Sequence, residues 1–249
     1  MNNVSFANKL LQALLLLPLT AFASGAAVHL DRAPVNFQDR ESLQRGAAVF
    51  VNYCLSCHSA ASMRYSRMTD IGLTEPQIKD NLLYASDKPG NAMTVAMRAK
   101  EAKGWFGAMP PDLSVITRSR GADWVYTYLR SFYRDDSRPT GWNNTVFDKV
   151  GMPHVLHELQ GQLAPVYRGE TDHEGKTHQV IERLELAQPG KMTQAEYDGL
   201  VADLVNYMSW MGEPAKSKRM HIGIGVLLFL FVFFIVAFYL KREFWKDVH

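Results

Sequence analysis

The sequence predicts a mainly α domain that carries a small inserted β-hairpin and long irregular segments, followed by one C-terminal transmembrane helix. Three observations lead there. Apolar residues recur at three- to four-residue spacing in several stretches, two of which open with capping boxes. Residues 165–186 read as two extended runs around a polar tip. Residues 222–240 are 19 consecutive uncharged residues rich in Leu, Phe, Val and Ile.

Taken in order, residues 1–23 combine a cationic start at Lys9, an apolar run over 10–19 and the small-x-small pattern Ala21-Phe22-Ala23, which fits a secretory signal. Cleavage after Ala23 is expected, with Ala26 as a second site. The segment lacks the Arg-rich character of an organelle transit peptide, so the expected compartment is a bacterial periplasm. Residues 41–53 form the first helix, with Leu43, Ala47, Phe50 and Cys54 on one face. Thr74 and Gln77 open a short helix through about residue 83. Residues 122–133 form a third, with Val125, Leu129 and Phe132 on one face. The hairpin at 165–186 turns at Asp172-His173-Glu174-Gly175. Thr193 and Glu196 open the last helix of the domain, which Gly212 and Pro214 stop. Residues 87–114 and 137–153, dense in Gly, Pro, Asn and Trp, read as irregular. Loops of that length in a small domain are usually wrapped around something.

The expected organisation is a signal at 1–23, an exported domain at 24–215, a basic linker at 216–221, a membrane span at 222–240 and a cytoplasmic tail at 241–249. At about 1.5 Å per residue, the span is long enough for a hydrocarbon core of roughly 30 Å. Cations flank it on both sides, so the export signal sets the orientation. The chain as a whole carries +2, but these flanks hold the excess cations and leave the exported domain slightly acidic. That suits a basic partner. There is no glycine-rich phosphate loop, and no nucleic-acid partner is expected.

Cys54-Leu55-Ser56-Cys57-His58 is the C-x-x-C-H pattern of covalent c-type haem attachment. Each thiol forms a thioether to one haem edge and the histidine becomes an axial iron ligand, which makes the expected fold a c-type cytochrome domain. The chain contains only two cysteines, so no second pair completes a zinc site and no disulfide competes. A methionine opposite His58 would favour the reduced state and raise the potential. Among eleven methionines, Met109 and Met152 stand out because each precedes a proline and is thereby held extended. His154 and His157 are further candidates, through bis-histidine ligation.

Several motifs, in order, resemble the cytochrome c1 family, the haem subunit of the cytochrome bc1 complex, in its proteobacterial branch. They are Arg45-Gly46, Tyr53 to Ser59 around the haem motif, Met63-Arg64-Tyr65, Trp105-Phe106-Gly107 and Pro110-Pro111-Asp112-Leu113-Ser114. Further on come Arg118 to Arg130, Arg138 to Asn144, Gly151-Met152-Pro153, and Trp210-Met211-Gly212-Glu213-Pro214 with Arg219 ahead of the span. The resemblance implies Met152 as the second axial ligand and Arg118 beside a haem propionate, where a guanidinium makes a charge-assisted contact. Trp124 falls where the family often has tyrosine.

It also implies one-electron relay within ubiquinol:cytochrome c oxidoreductase, from a Rieske iron-sulfur centre to a soluble cytochrome c or equivalent, with no substrate bond chemistry in this chain. Cytochrome b, membrane lipid and a dimeric complex are the further implied partners, at the bacterial inner membrane. Two rivals remain at this stage: another membrane-anchored c-type cytochrome, such as a terminal oxidase subunit or free-standing shuttle, and a haem enzyme or gas sensor with an open sixth position.

Overall fold

The computed structural model describes residues 28–171 and 175–246. The export signal read at 1–23, the hairpin tip at 172–174 and the last tail residues, 247–249, lie outside the described residues.

Helix α1 (Arg40–Val49) starts where the Asp39 side chain accepts from the Ser42 amide at 2.9 Å. It does not stop at Val49. The chain continues through a wider turn, Phe50–Cys54, in which the Leu55 amide reaches back five residues to the Phe50 carbonyl at 3.0 Å. That turn delivers Cys54 as α1 ends, and the Cys57 and His58 amides then both donate to the Cys54 carbonyl. After β1 (Ala60–Arg64), a 3₁₀ turn over Tyr65–Ile71 leads to α2 (Glu75–Asn81), which opens on the Thr74–Gln77 capping box.

Beyond β2 (Ala92–Met93), the 87–114 segment contains a helix, α3 (Ala99–Phe106), where an irregular path was expected. Its Ala-Lys-Glu-Ala-Lys core is made of strong helix formers, and the surrounding Gly and Pro masked the signal. Two short helices follow, α4 (Ile116–Arg120) and α5 (Ala122–Arg130), separated by Gly121 at φ 94°. The expected third helix thus ends three residues early. Phe132 and Tyr133 instead enter β3 (Phe132–Arg134), which pairs antiparallel with β4 (Trp142–Asn144). α6 is a single turn at His157–Gln160.

Strands β5 (Gly161–Thr171) and β6 (Thr177–Pro189) then pair antiparallel over nearly their whole length. Two glycines meet where this ribbon leaves the domain: a Cβ on Gly190 would lie 2.4 Å from the Gly161 nitrogen, and one on Gly161 2.3 Å from the Gln188 carbonyl oxygen.

Helix α7 (Gln194–Gly212) is the centre of the core. It begins on the Thr193–Glu196 capping box and buries Tyr197, Val201, Leu204, Val205, Tyr207 and Met208. Each fully buried side chain of this size contributes about 1.5–3 kcal/mol. α1 crosses α7 at Gly46, where a Cβ would stand 2.0 Å from the Asp203 carbonyl oxygen and 2.7 Å from the Tyr207 Cβ. Beside the crossing, Arg45 grips the Asp203 carboxylate through Nε at 2.6 Å and Nη2 at 3.1 Å. On the other side, buried Asn206 accepts from the Asn36 amide and donates to the Asn36 carbonyl and the Ser42 hydroxyl. α5 is fastened to the same helix. The Tyr197 hydroxyl donates to the Leu129 carbonyl at 2.8 Å, and Arg130 bridges Asp198 and Asp31 while lying over the Tyr126 ring.

After Pro214 the chain re-enters helix at once. α8 (Lys216–Phe244) includes the basic residues 216–221 that the sequence places in a linker, because nothing from Lys216 to His221 breaks a helix. Its span Lys218–Phe244 has a mean hydropathy of 2.8 in its apolar stretch, none of it buried against the domain, and is long enough to cross a membrane.

Gly46→Ala separates two opposing effects. Helix propensity alone would stabilise by about 0.5–1 kcal/mol, whereas overpacking typically costs about 1–3 kcal/mol. Chemical denaturation is expected to show net destabilisation for Gly46→Ala and no loss for Gly90→Ala, whose added Cβ meets nothing within 4 Å.

Candidate functional site

The wider turn after α1, the 106–113 segment, α4, α5, the 147–155 segment and α7 enclose an apolar cavity of about 370 Å³. Its wall includes Tyr53, Cys54, Cys57 and His58 on one side, Phe147, Val150, Met152 and Val155 on another, and Leu204 and Met208 from α7. A volume of this order with few polar groups suits a largely apolar prosthetic group.

His58 is held by a carbonyl. Its Nδ1 lies 2.8 Å from the Pro111 oxygen, which can only accept, so Nδ1 carries the proton and Nε2 keeps its lone pair. Burial pushes the His58 pKa below its ordinary value; the bond to Pro111 and the charge of Asp112 oppose that without reversing it, and the ring is a neutral donor of electrons.

The Pro111 loop is itself knitted to the chain just after His58. Leu113 N donates to Ser59 O at 2.8 Å, Asp112 accepts from the Ala61 and Ser114 amides at 2.8 Å each, and Ser62 N donates to Ser114 Oγ at 3.0 Å. Burial raises the Asp112 carboxyl, but these hydrogen bonds and the attraction of His58 outweigh it and leave the group below its ordinary value. The loop motif Pro110 to Ser114 is therefore an orienting device for one imidazole.

Cys54 is buried and Cys57 partly exposed, both on the cavity wall and neither in a disulfide. Burial, with a smaller contribution from Cys57, pushes the Cys54 thiol up to about 12, so it stays protonated at neutral pH. Among the described residues no cluster of three or more His, Cys, Asp or Glu could hold a bare metal ion. Two thiols, one prepared imidazole and an apolar cavity fit a c-type haem.

Met152 is carried by the segment that follows β4. Asn143 and Asn144 fasten that segment: Asn144 Oδ1 accepts from the Val146 and Phe147 amides, and Asn143 Oδ1 from the Lys149 amide. At Gly151 an added Cβ would press to 3.0 Å on the Phe106 carbonyl oxygen, so this segment sits directly against the end of α3. Met109 also lines the cavity, half-exposed.

His154 and His157 do not line it. His154 is buried face to face with Phe132, with centroids 4.9 Å apart, and Trp142 packs edge-on against it. Arg118 is likewise absent from the wall: its Cγ lies close to Gly212 of α7, while Arg120 lines the cavity and stands 5.4 Å from the Trp124 ring centroid. Residues two apart on a helix point to different sides.

Below Arg120, Trp124 stacks on Tyr128 with centroids 4.9 Å apart and an interplanar angle of 11°. Arg120, Trp124 and Tyr128 thus form a column at four-residue steps along one side of the cavity. Arg120 and Tyr128 escaped the sequence reading. No helical spacing could have found Arg120, because Gly121 separates it from the helix that carries Trp124 and Tyr128.

The sequence has counterparts among known proteins. Residues 31–248 match the model of the Cytochrome C1 family. The chain belongs to the cytochrome C1 family. Membership gives it the role of the haem-bearing electron-transfer subunit of the cytochrome bc1 complex, with haem c bound covalently at the Cys54 and Cys57 pair. It is 48% identical over 237 residues to cytochrome c1 of Allochromatium vinosum, covering 95% of this chain and 96% of that one. It is 52% identical over 244 residues to a Nitrosomonas europaea protein called ammonia monooxygenase gamma subunit, covering 96% and 97%. A Bradyrhizobium diazoefficiens protein named cytochrome b/c1 is 26% identical over 246 residues, 85% of this chain and 34% of that longer one.

Asp112→Ala removes two acceptors that hold the His58 loop. A loss of about 1–2 kcal/mol is expected in chemical unfolding of the haem-loaded protein, with covalent haem staining unchanged.

Proposed function

We propose that His58 and Met152 are the two axial ligands of a single haem c in this chain, and that it relays electrons from a Rieske iron-sulfur centre to a soluble periplasmic cytochrome c or equivalent acceptor. One observation carries this reading: the C-x-x-C-H turn and Met152, some ninety residues apart in sequence, line the same apolar cavity. When bound, the haem supplies a one-electron iron couple and no bond-making chemistry.

Each part of the chain has a task in that relay. Cys54 and Cys57 would anchor the group, His58 is presented with Nε2 free to hold the iron, and Met152 would hold it through a thioether, which favours the reduced state. Phe106, Pro110, Pro111 and Leu113 from one long segment, and Val150, Gly151 and Pro153 from the other, shield the cavity from water. This supports the haem-wrapping role expected of these loops. Arg120, the guanidinium on the wall, takes the propionate role that the resemblance implied for Arg118. Met109 and Phe147, part-exposed on the same wall, leave an apolar edge where a transient redox partner can approach.

Among the described residues, the apolar helix α8 supports anchoring in a bacterial cytoplasmic membrane, with the domain in the periplasm and the C-terminus in the cytoplasm. The chain assembles with cytochrome b, as the name of the Bradyrhizobium relative joins the two in one protein. A Rieske protein, a soluble acceptor, membrane lipid and a dimeric complex complete the proposed surroundings. A methionine on the wall opposes an open-site enzyme or sensor, and family membership opposes an unrelated anchored cytochrome or a terminal oxidase subunit.

Solubilised membranes are expected to yield this chain together with cytochrome b and a Rieske protein; recovery alone or with a copper oxidase contradicts the proposal. Within it, Met152→Leu is expected to lower the midpoint potential strongly and Met109→Leu to leave it unchanged. Arg120→Gln is expected to shift the potential negative by removing a cation near the haem, with Arg118→Gln close to the parent protein. A redox titration of each variant checks all four.

A further inference from the structure

The Tyr128 hydroxyl points at a sulfur. Its oxygen lies 3.4 Å from Met152 Sδ, a distance at which a thioether accepts a hydrogen bond. The phenol is held there from three directions. Trp124 stacks on one face of the ring, Phe132 meets it edge-on with centroids 5.0 Å apart, and the Tyr128 carbonyl accepts from Asn144 Nδ2 at 2.8 Å. Met152 and Tyr128 both pack on the small apolar cluster of Phe132, Trp142 and Val150, so phenol and thioether share one support.

We propose that Tyr128 is a positioning residue for the sixth ligand: its hydroxyl donates to Met152 Sδ, holds that sulfur toward the cavity and favours the reduced state. The inference rests on the reading of Met152 as an iron ligand and deepens it. A thioether sulfur has two lone pairs. With one given to iron, the other remains for a donor, and a hydrogen bond there withdraws electron density from the sulfur. A poorer electron donor stabilises the oxidised iron less, so the equilibrium moves toward reduction.

The test is Tyr128→Phe in the full-length, haem-loaded protein, which keeps the ring and its packing and removes only the hydroxyl. Only the part of that bond that differs between the two oxidation states moves the midpoint, an effect expected at roughly threefold to tenfold in the oxidised-to-reduced ratio. The midpoint is therefore expected to fall by about 30–60 mV, at 59 mV per tenfold for one electron. An unchanged or raised midpoint overturns the proposal.

A second measurement needs no variant. In the reduced wild-type protein labelled with ¹³C-methyl methionine, the Met152 methyl is expected at the strongly upfield, ring-current-shifted position of a ligand. It should show a through-space contact to a slowly exchanging hydroxyl proton. An upfield methyl with no such proton overturns the role of Tyr128 alone; no upfield methyl overturns the ligand assignment and the role of Tyr128 with it.

Discussion

The crossing of α1 over α7 at Gly46 is the contact on which the rest of the domain depends. Two helices can approach so closely only where one of them lacks a Cβ, and here the missing atom would stand 2.0 Å from a backbone oxygen. Arg45 locks the register with a two-toothed grip on Asp203, and Asn206 ties the entering chain at Asn36 to the same helix. Seated in this way, α1 has one exit. Its widened last turn sets Cys54, Cys57 and His58 along a cavity whose wall α7 completes with Leu204 and Met208. Fold and chemistry meet at that turn.

The two sides of the cavity are made differently. On the His58 side, backbone hydrogen bonds between 59–62 and 110–114 set a carbonyl that fixes one tautomer. On the Met152 side, a buried asparagine pair organises the approaching segment and Gly151 presses it against the end of α3. Neither side relies on an ion pair, which suits a site that must change charge by one electron without rearranging. Arg120, Trp124 and Tyr128 form a third, aromatic side joining the solvent edge to the Met152 sulfur.

Much of this was legible in the chain. Both capping boxes start helices where Thr74 and Thr193 stand, and the apolar run near the C-terminus is a helix. The haem motif is legible because covalent attachment demands fixed residue types at fixed spacing. Short-range preference misled where flanking residues outvoted the core of a segment, as in α3 between its glycines and prolines. It also failed at Phe132 and Tyr133, which carry helical spacing but pair with Asn144 and Asn143 across a ribbon. The choice between Arg118 and Arg120 depends on how a five-residue helix is rotated against α7, a tertiary fact that one sequence does not state. Tyr128 was hidden for the same reason: its partner lies 24 residues away.

The central claim is that one cavity holds a haem c between His58 and Met152. Near-infrared magnetic circular dichroism of the oxidised full-length protein, untouched by mutation, reads the axial ligand pair directly. The account predicts the signature of low-spin histidine–methionine ligation; a bis-histidine signature, or a high-spin iron with an open sixth position, would contradict it.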